Sequence, residues 1–168
     1  ILTVGRLSKE KGQELTINVL ARLKNEGYKV RWYCIGDGPE KYNYRNRIKR
    51  LDIENDYILL GSKLNPYPFM KDCDIYVQPS KHEGYCITLG EARCFDNPIV
   101  TTNFTGANEQ IKNEVTGLVC DISEQGIYQA IKRLLDNKEL YKDIRTNLSN
   151  EIVDSTNEIS KLEKLVNL

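Results

Sequence analysis

The sequence predicts an α/β protein: three layers, with a parallel sheet covered by helices on both faces. Three observations carry this. Short apolar runs alternate with amphipathic stretches along most of the 168 residues, the signature of repeated βαβ units. Glycine-bearing turns punctuate the ends of the apolar runs. No internal repeat, low-complexity segment or Pro/Gly/Ser-rich linker divides the chain, which at about 150 residues per domain reads as one unit.

The elements follow in order. Residues 1–4 are the stub of a strand, followed by the turn Gly5-Arg6-Leu7-Ser8. Residues 11–26 place Leu15, Val19, Leu20 and Leu23 on one helical face, and Gly27 stands where a C-terminal cap belongs. A second strand over 30–35 is closed by Gly36-Asp37-Gly38-Pro39. A polar helix over 40–51 comes next, then a short strand over 57–60 ending at Gly61. A short helix over 66–71 precedes a strand over 75–77. The segment 82–95, a strand over 99–102, a Gly-containing loop and an apolar turn at 118–120 follow. From Ser123 the pattern is helical, over 127–137 and 138–148, with a last amphipathic stretch carrying Ile152, Ile159, Leu162 and Val166.

Composition narrows the function. Lys plus Arg is 24 and Asp plus Glu is 24, so the net charge is zero. Holding nucleic acid by bulk charge needs a basic surplus or stripe, so no nucleic-acid partner is expected. Five cysteines, widely spaced and without a CxxC pair, accompany a single histidine, His82. This is neither a disulfide framework nor a zinc site; the thiols read as small buried hydrophobes in a reducing compartment. No apolar run approaches the ~18 residues of a membrane span. The chain begins at Ile1, inside a strand, and is expected to be a fragment.

In parallel sheets ligands bind outside the carboxyl ends of the strands, where the chain turns into the next helix. That rule selects residues 5–12, 36–39, 61–63 and 80–91. In the first turn, Arg6 offers a planar fork and Lys11 a point charge, with Gly12 opening a helix whose N-terminus favours an anion. A diphosphate suits this arrangement, although two solvated surface cations would share the spacing. Gly36-Asp37-Gly38-Pro39 is not GxGxxG, so a dinucleotide fingerprint is absent; two glycines permit close backbone approach to a ligand or simply a tight turn. In the segment from Pro79 to Ala92, Glu83 and Glu91 have seven residues between them and flank a helix N-terminus near Tyr85–Thr88. Carboxylates on either side suit the hydroxyls of two sugars flanking a diphosphate, and a loop Glu beside a solvated helical Glu is the plain alternative. His82 could touch a sugar or simply be solvated.

Gly5-Arg6 with Lys11-Gly12, Gly36-Asp37-Gly38-Pro39, and Pro79-Ser80 with Glu83 and Glu91 closing an E-x7-E motif together resemble the retaining glycosyltransferases of the group 1 type, family GT4. The resemblance covers residues 1–148 and includes Pro98-Ile99-Val100, Gly106, Glu109 and Gly117-Leu118-Val119. It implies the C-terminal, donor-binding half of a GT-B fold, with residues 1–150 a Rossmann-like nucleotide-sugar domain. Residues 151–168 would be a helix crossing to an N-terminal acceptor domain outside this chain, or one packed on its own domain. The resemblance further implies that Arg6 and Lys11 grip the leaving diphosphate. Glu83 would contact the transferred sugar and Glu91 the ribose. The backbone of Tyr85, Cys86 and Ile87 would meet phosphate. Gly5, Gly36, Gly38, Pro39, Ser62 and Lys63 would border the nucleotide. Where the family commonly has Glu-Gly-Phe-Gly, this chain has Glu83-Gly84-Tyr85-Cys86, and a Cys at that glycine position is expected to narrow the approach of the phosphates.

The implied reaction is metal-independent sugar transfer with retention, from a nucleoside diphosphate sugar (UDP favoured) to an acceptor hydroxyl, with no cofactor. Cations and a helix N-terminus supply the positive charge, and a DxD-like carboxylate cluster is absent. The implied setting is cell-surface polysaccharide or glycolipid synthesis, in the cytoplasm or peripheral at the inner membrane face, with a sugar or lipid-linked acceptor bound by the other domain. A non-enzymatic nucleotide-sugar-binding module, or one subunit of a split transferase, is the runner-up. A related GT-B epimerase or phosphorylase is weaker, because those families do not pair this Arg6/Lys11 turn with E-x7-E.

Overall fold

The computed structural model describes residues 1–151. Its sheet has six strands, all parallel: β1 (Leu2–Val4), β2 (Trp32–Ile35), β3 (Tyr57–Gly61), β4 (Tyr76–Gln78), β5 (Ile99–Thr102) and β6 (Leu118–Cys120). The spatial order is β3-β2-β1-β4-β5-β6. The chain therefore winds outward in one direction from β1 to β3, then returns to the middle and winds the other way. The reversal leaves a crevice between the carboxyl ends of β1 and β4, the switch point where doubly wound sheets bind ligands. The expected α/β fold is the observed one. The apolar run at 118–120 is a sixth strand rather than a turn, pairing with β5 from Val100 to Thr102.

Strand alternation divides the core in two. Trp32, Cys34, Ile75 and Val77 face one side, where they pack with Ile17, Val19, Leu20 and Leu23 of α1 (Gln13–Asn25). Ile48 of α2 (Lys41–Arg50), Ile127, Ile131 and Leu134 of α6 (Glu124–Asp136), and Ile144 and Leu148 of α7 (Lys138–Asn150) complete that layer. Leu2, Val4, Ile35, Tyr76 and Ile99 face the other side. They meet Met70 of α3 (Tyr67–Asp72), Leu89 and Ala92 of α4 (Ile87–Arg93), and Ala107 of α5 (Ala107–Gln110). Each fully buried large aliphatic side chain contributes about 1.5–3 kcal/mol relative to exposure. Polar groups within this layer are paired with one another: Trp32 Nε1 donates to Thr3 Oγ1 at 3.1 Å, and Thr3 Oγ1 donates to the Val77 carbonyl at 2.9 Å. Burial pushes the Cys34 thiol up to about 12, in keeping with a cysteine used as an apolar filler.

One local correction shapes the site. Helix α1 starts at Gln13, not at residue 11: Lys9–Lys11 form a single 3₁₀ turn, and Gly12 breaks the chain with φ 69° before α1 begins. Lys11 is thereby lifted out of the helix. At the other end Gly27 takes φ 89°, with Gly27 N–H donating to the Lys24 carbonyl and Tyr28 N–H to Leu23, which is the glycine cap the sequence predicted. The expected amphipathic stretch with Ile152, Ile159, Leu162 and Val166 lies outside the described residues.

The strand-end turns are in backbone contact. A Cβ on Gly12 would sit 2.0 Å from the Pro79 carbonyl oxygen, and one on Gly36 would sit 1.9 Å from that of Gly5. At Gly38 it would lie 2.4 Å from the Leu7 carbonyl oxygen. We predict that Gly12→Ala and Gly36→Ala each lose about 3 kcal/mol or more in urea unfolding, because backbone must move. Gly27→Ala should lose about 1 kcal/mol, since a Cβ there meets nothing within 4 Å and only its left-handed φ is strained. Equal losses at the three positions would contradict this account.

Candidate functional site

The turn after β1 and the turn after β4 meet at the switch point and are stitched together. Lys81 N–H donates to the Glu10 carbonyl at 2.7 Å, and the Lys81 ammonium pairs with Glu14. Across the same seam Lys11 Nζ lies 2.6 Å from Glu83 Oε1. The side chains of this pair are 27% and 10% exposed, so the pair is half-sheltered and partly screened. Two of the predicted side chains, 72 positions apart, are thus in direct contact.

Glu83 is held through one oxygen. Oε1 accepts from Lys11, from Ser80 Oγ at 2.6 Å, from Cys86 Sγ at 3.8 Å and, at 3.5 Å, from Gln78 Nε2. Among the described residues no hydrogen bond reaches Oε2. Two short charge-assisted contacts saturate Oε1, so the carboxylate has one engaged and one available edge.

Arg6 is exposed and makes no ion pair among the described residues; its carbonyl accepts from Gln13 Nε2 at 2.9 Å. The turn therefore presents one paired cation, Lys11, and two without an ion partner among the described residues, Arg6 and Lys9. Gly5 N–H donates to the Ile35 carbonyl at 2.9 Å, tying this turn to β2. Gly36, Gly38 and Pro39 form the neighbouring turn, and the two glycines are required by the approach of Gly5 and Leu7 rather than by a ligand. The Asp37 carboxylate accepts from Gly38 N–H and from Lys41 Nζ at 2.6 Å, and the Lys41 bond, the larger effect, holds it below its usual range. Ser62 and Lys63 lie on the exposed loop after β3.

Helix α4 begins at Ile87 with Cys86 as its cap. Tyr85 and Ile87 stand out of the surface, 73% and 67% exposed, while Cys86 is 2% exposed. The thiol is folded under the loop against Glu83 and Thr88, and burial raises its titration. Its φ of −82° is open to any L residue, so no glycine is needed there. The side chain is buried rather than projecting from the loop surface as Tyr85 and Ile87 do. Glu91 accepts from Tyr67 OH of α3 at 3.0 Å, a bond that raises the Tyr67 phenol, and makes no contact with Glu83. His82 is exposed. The partners Gln78, Thr88 and Tyr67 were not singled out from the sequence. For Gln78 a signal existed, a polar residue ending the apolar run Ile75-Tyr76-Val77, because a buried amide must find partners.

A cleft of about 940 Å³ lies beside this cluster, lined by Lys9, Glu14, Tyr44, Arg47 and Lys81 among others. Among the described residues no three His, Cys, Asp or Glu side chains gather as a metal site, and no helix is long and apolar enough to cross a membrane.

A family model described as glycosyl transferases group 1 matches residues 1–150. The N-acetylgalactosamine-N,N'-diacetylbacillosaminyl-diphospho-undecaprenol 4-alpha-N-acetylgalactosaminyltransferase of Campylobacter jejuni is 33% identical over 144 residues, covering 84% of this chain and 39% of that protein. The capsular polysaccharide biosynthesis glycosyltransferase CapM of Staphylococcus aureus is 28% identical over 154 residues, covering 86% and 38%. The chain thus spans about two fifths of the length of these relatives. Among solved structures, Anabaena HepE in complex with UDP superposes with a TM-score of 0.83 at 24% identity, over 99% of this chain and 49% of that one. S. aureus TarM does so with a TM-score of 0.85 at 20% identity, over 99% and 34%. At these identities the structural likeness is one of fold.

The seam predicts its own energetics. Lys11→Met should cost about 1–3 kcal/mol of stability, as it strands a sheltered carboxylate, and adding Glu83→Gln should recover much of that. A urea double-mutant cycle should give a coupling near 1 kcal/mol; a coupling of zero would make the contact an idle surface pair.

Proposed function

This chain belongs to the group 1 glycosyl transferases, and we propose that it is the donor-binding part of a retaining, metal-independent enzyme. Its substrate would be a nucleoside diphosphate sugar, with UDP favoured, and its product a sugar joined to an acceptor hydroxyl. The observation that carries the reading is Glu83 at the switch point, one oxygen fixed by Lys11 and Ser80 and the other free. A carboxylate with one open edge accepts sugar hydroxyls, and a nearby cation offsets its repulsion of the diphosphate.

In this reading the residues divide the labour. Arg6, exposed and without an ion partner among the described residues, binds the diphosphate and stabilises the charge that grows as it leaves. Lys11 sits between that charge and Glu83, serving both. Glu91, oriented by Tyr67, accepts from the ribose hydroxyls, while the backbone of Tyr85, Cys86 and Ile87 faces the phosphates. Ser62 and Lys63, on the loop after β3, border the base, beside the turn of Gly36, Gly38 and Pro39. Transfer needs little covalent chemistry from protein if the leaving group is stabilised and the acceptor is positioned. No bound metal or cofactor is invoked: the positive charge comes from Arg6 and Lys11. Positioning the acceptor falls to an N-terminal domain of a longer protein, so this chain alone would bind donor without efficient transfer.

The relatives support the setting. One is named for a diphospho-undecaprenol acceptor and another for capsular polysaccharide biosynthesis, and HepE is described with UDP. The corresponding role here is cell-surface polysaccharide or glycolipid assembly, in the cytoplasm or at the inner face of the membrane.

Thermal melting of the chain with UDP, GDP, ADP and their sugar conjugates tests the reading. A ligand at about 100 times its Kd adds roughly 2.7 kcal/mol, raising the midpoint by about 5–10 °C. UDP compounds should shift the wild type and not Arg6→Ala. No shift with any nucleotide would contradict donor binding by this chain.

A further inference from the structure

A line of buried polar groups runs from the core to Glu83. Tyr76 OH, within the second core layer, donates to Gln78 Oε1 at 2.9 Å, and Thr88 Oγ1 donates to the same oxygen at 3.3 Å. Gln78 Nε2 donates to Ser80 Oγ at 2.9 Å, and Ser80 Oγ donates to Glu83 Oε1 at 2.6 Å. Gln78 and Ser80 are 1% and 0% exposed.

The direction of the line follows from the carboxylate at its end. Burial drives the Tyr76 phenol far above its ordinary range, so it keeps its proton and has it to give to the Gln78 carbonyl oxygen. The Gln78 carbonyl oxygen is thereby turned to Tyr76 and its NH₂ to Ser80. Ser80 has one hydroxyl hydrogen; accepting from Gln78, it gives that hydrogen to Glu83. Reversing the amide would turn its oxygen to Ser80 and draw the Ser80 proton away from Glu83, exchanging a charge-assisted bond for a weaker neutral one. The strand end cannot drift either, because Thr101 and Thr102 of β5 donate to the Gln78 carbonyl at 3.3 Å, and Thr102 also to the Ser80 carbonyl.

We propose that Gln78 is a positioning residue of the donor site, its amide fixing the Ser80 hydroxyl and thereby the Glu83 carboxylate so that Oε2 faces the transferred sugar. This rests on Glu83 being a sugar contact. The relay explains why a polar side chain ends an apolar strand. It also assigns Gln78 a larger effect on the sugar than on the bare nucleotide, since its amide bonds Ser80 and Glu83 and neither Arg6 nor Lys11 directly.

Titration calorimetry separates these parts. Affinities of the wild type, Gln78→Met and Gln78→Glu are measured for UDP, GDP and ADP and for their hexose conjugates, with thermal melts confirming the folded state. Both variants should bind the bare nucleotide within about twofold of wild type and lose about tenfold for the sugar nucleotide, the loss expected for a displaced charge-assisted hydrogen bond. Gln78→Glu matches the native side chain in size, so it decides the matter should Gln78→Met fail to fold. An unchanged ratio of sugar-nucleotide to nucleotide affinity would overturn the relay while leaving donor binding standing. Failure of the wild type to bind any nucleotide would overturn donor binding and the relay together.

Discussion

The seam between the β1 turn and the β4 turn is the constraint on which the rest of the site depends. Parallel strands β1 and β4 are neighbours in the sheet but lie far apart in sequence, and their turns must lie flush for Lys11 to reach Glu83 at 2.6 Å. Gly12 makes that possible, because any side chain there would collide with the Pro79 carbonyl. The bond from Lys81 N–H to Glu10 fixes the approach. The fold thus delivers a cation from one half of the doubly wound sheet to an anion from the other.

That delivery resolves an electrostatic conflict. A site for a diphosphate sugar needs a carboxylate near the sugar and cations near the phosphates, only a few ångströms apart. Two like unit charges about 6 Å apart repel by about 3 kcal/mol at an effective dielectric constant near 20. With Lys11 on Oε1, Glu83 presents an edge that is less repulsive while its second oxygen stays free for hydroxyls. In the proposed reading Arg6 is the cation that meets the phosphates, and its planar fork suits them.

Much of this was legible in the sequence, for identifiable reasons. The alternation of apolar runs with amphipathic stretches gave parallel strands and covering helices, and the boundaries of β5 at 99–102 were read as found. Strand β6 was mistaken for a turn because three residues, Leu118–Cys120, carry no periodicity of their own and become a strand only by pairing with β5. The start of α1 was misplaced because Lys9–Lys11 are ordinary helix formers; the left-handed Gly12 that interrupts them is imposed by packing against Pro79. Arg6, Lys11 and Glu83 were found from residue type and strand-end position, yet spacing gave no hint that Lys11 and Glu83 touch. Cys86 was read as narrowing the approach of the phosphates; sequence does not say which way a side chain turns, and the thiol is buried against Glu83 and Thr88. The glycines at 36 and 38 were correctly placed in a strand-end turn, but their close neighbour is the protein's own backbone.

The claim at the centre is that the donor sits over the β1–β4 seam with its sugar on the open edge of Glu83. A crystal structure of the chain with a bound UDP-sugar measures this directly. The account predicts a sugar hydroxyl within about 2.6–3.2 Å of Glu83 Oε2, with the diphosphate against Arg6 and Lys11. A nucleotide seated instead in the neighbouring cleft of Lys9, Arg47 and Lys81, with Glu83 untouched, would contradict it.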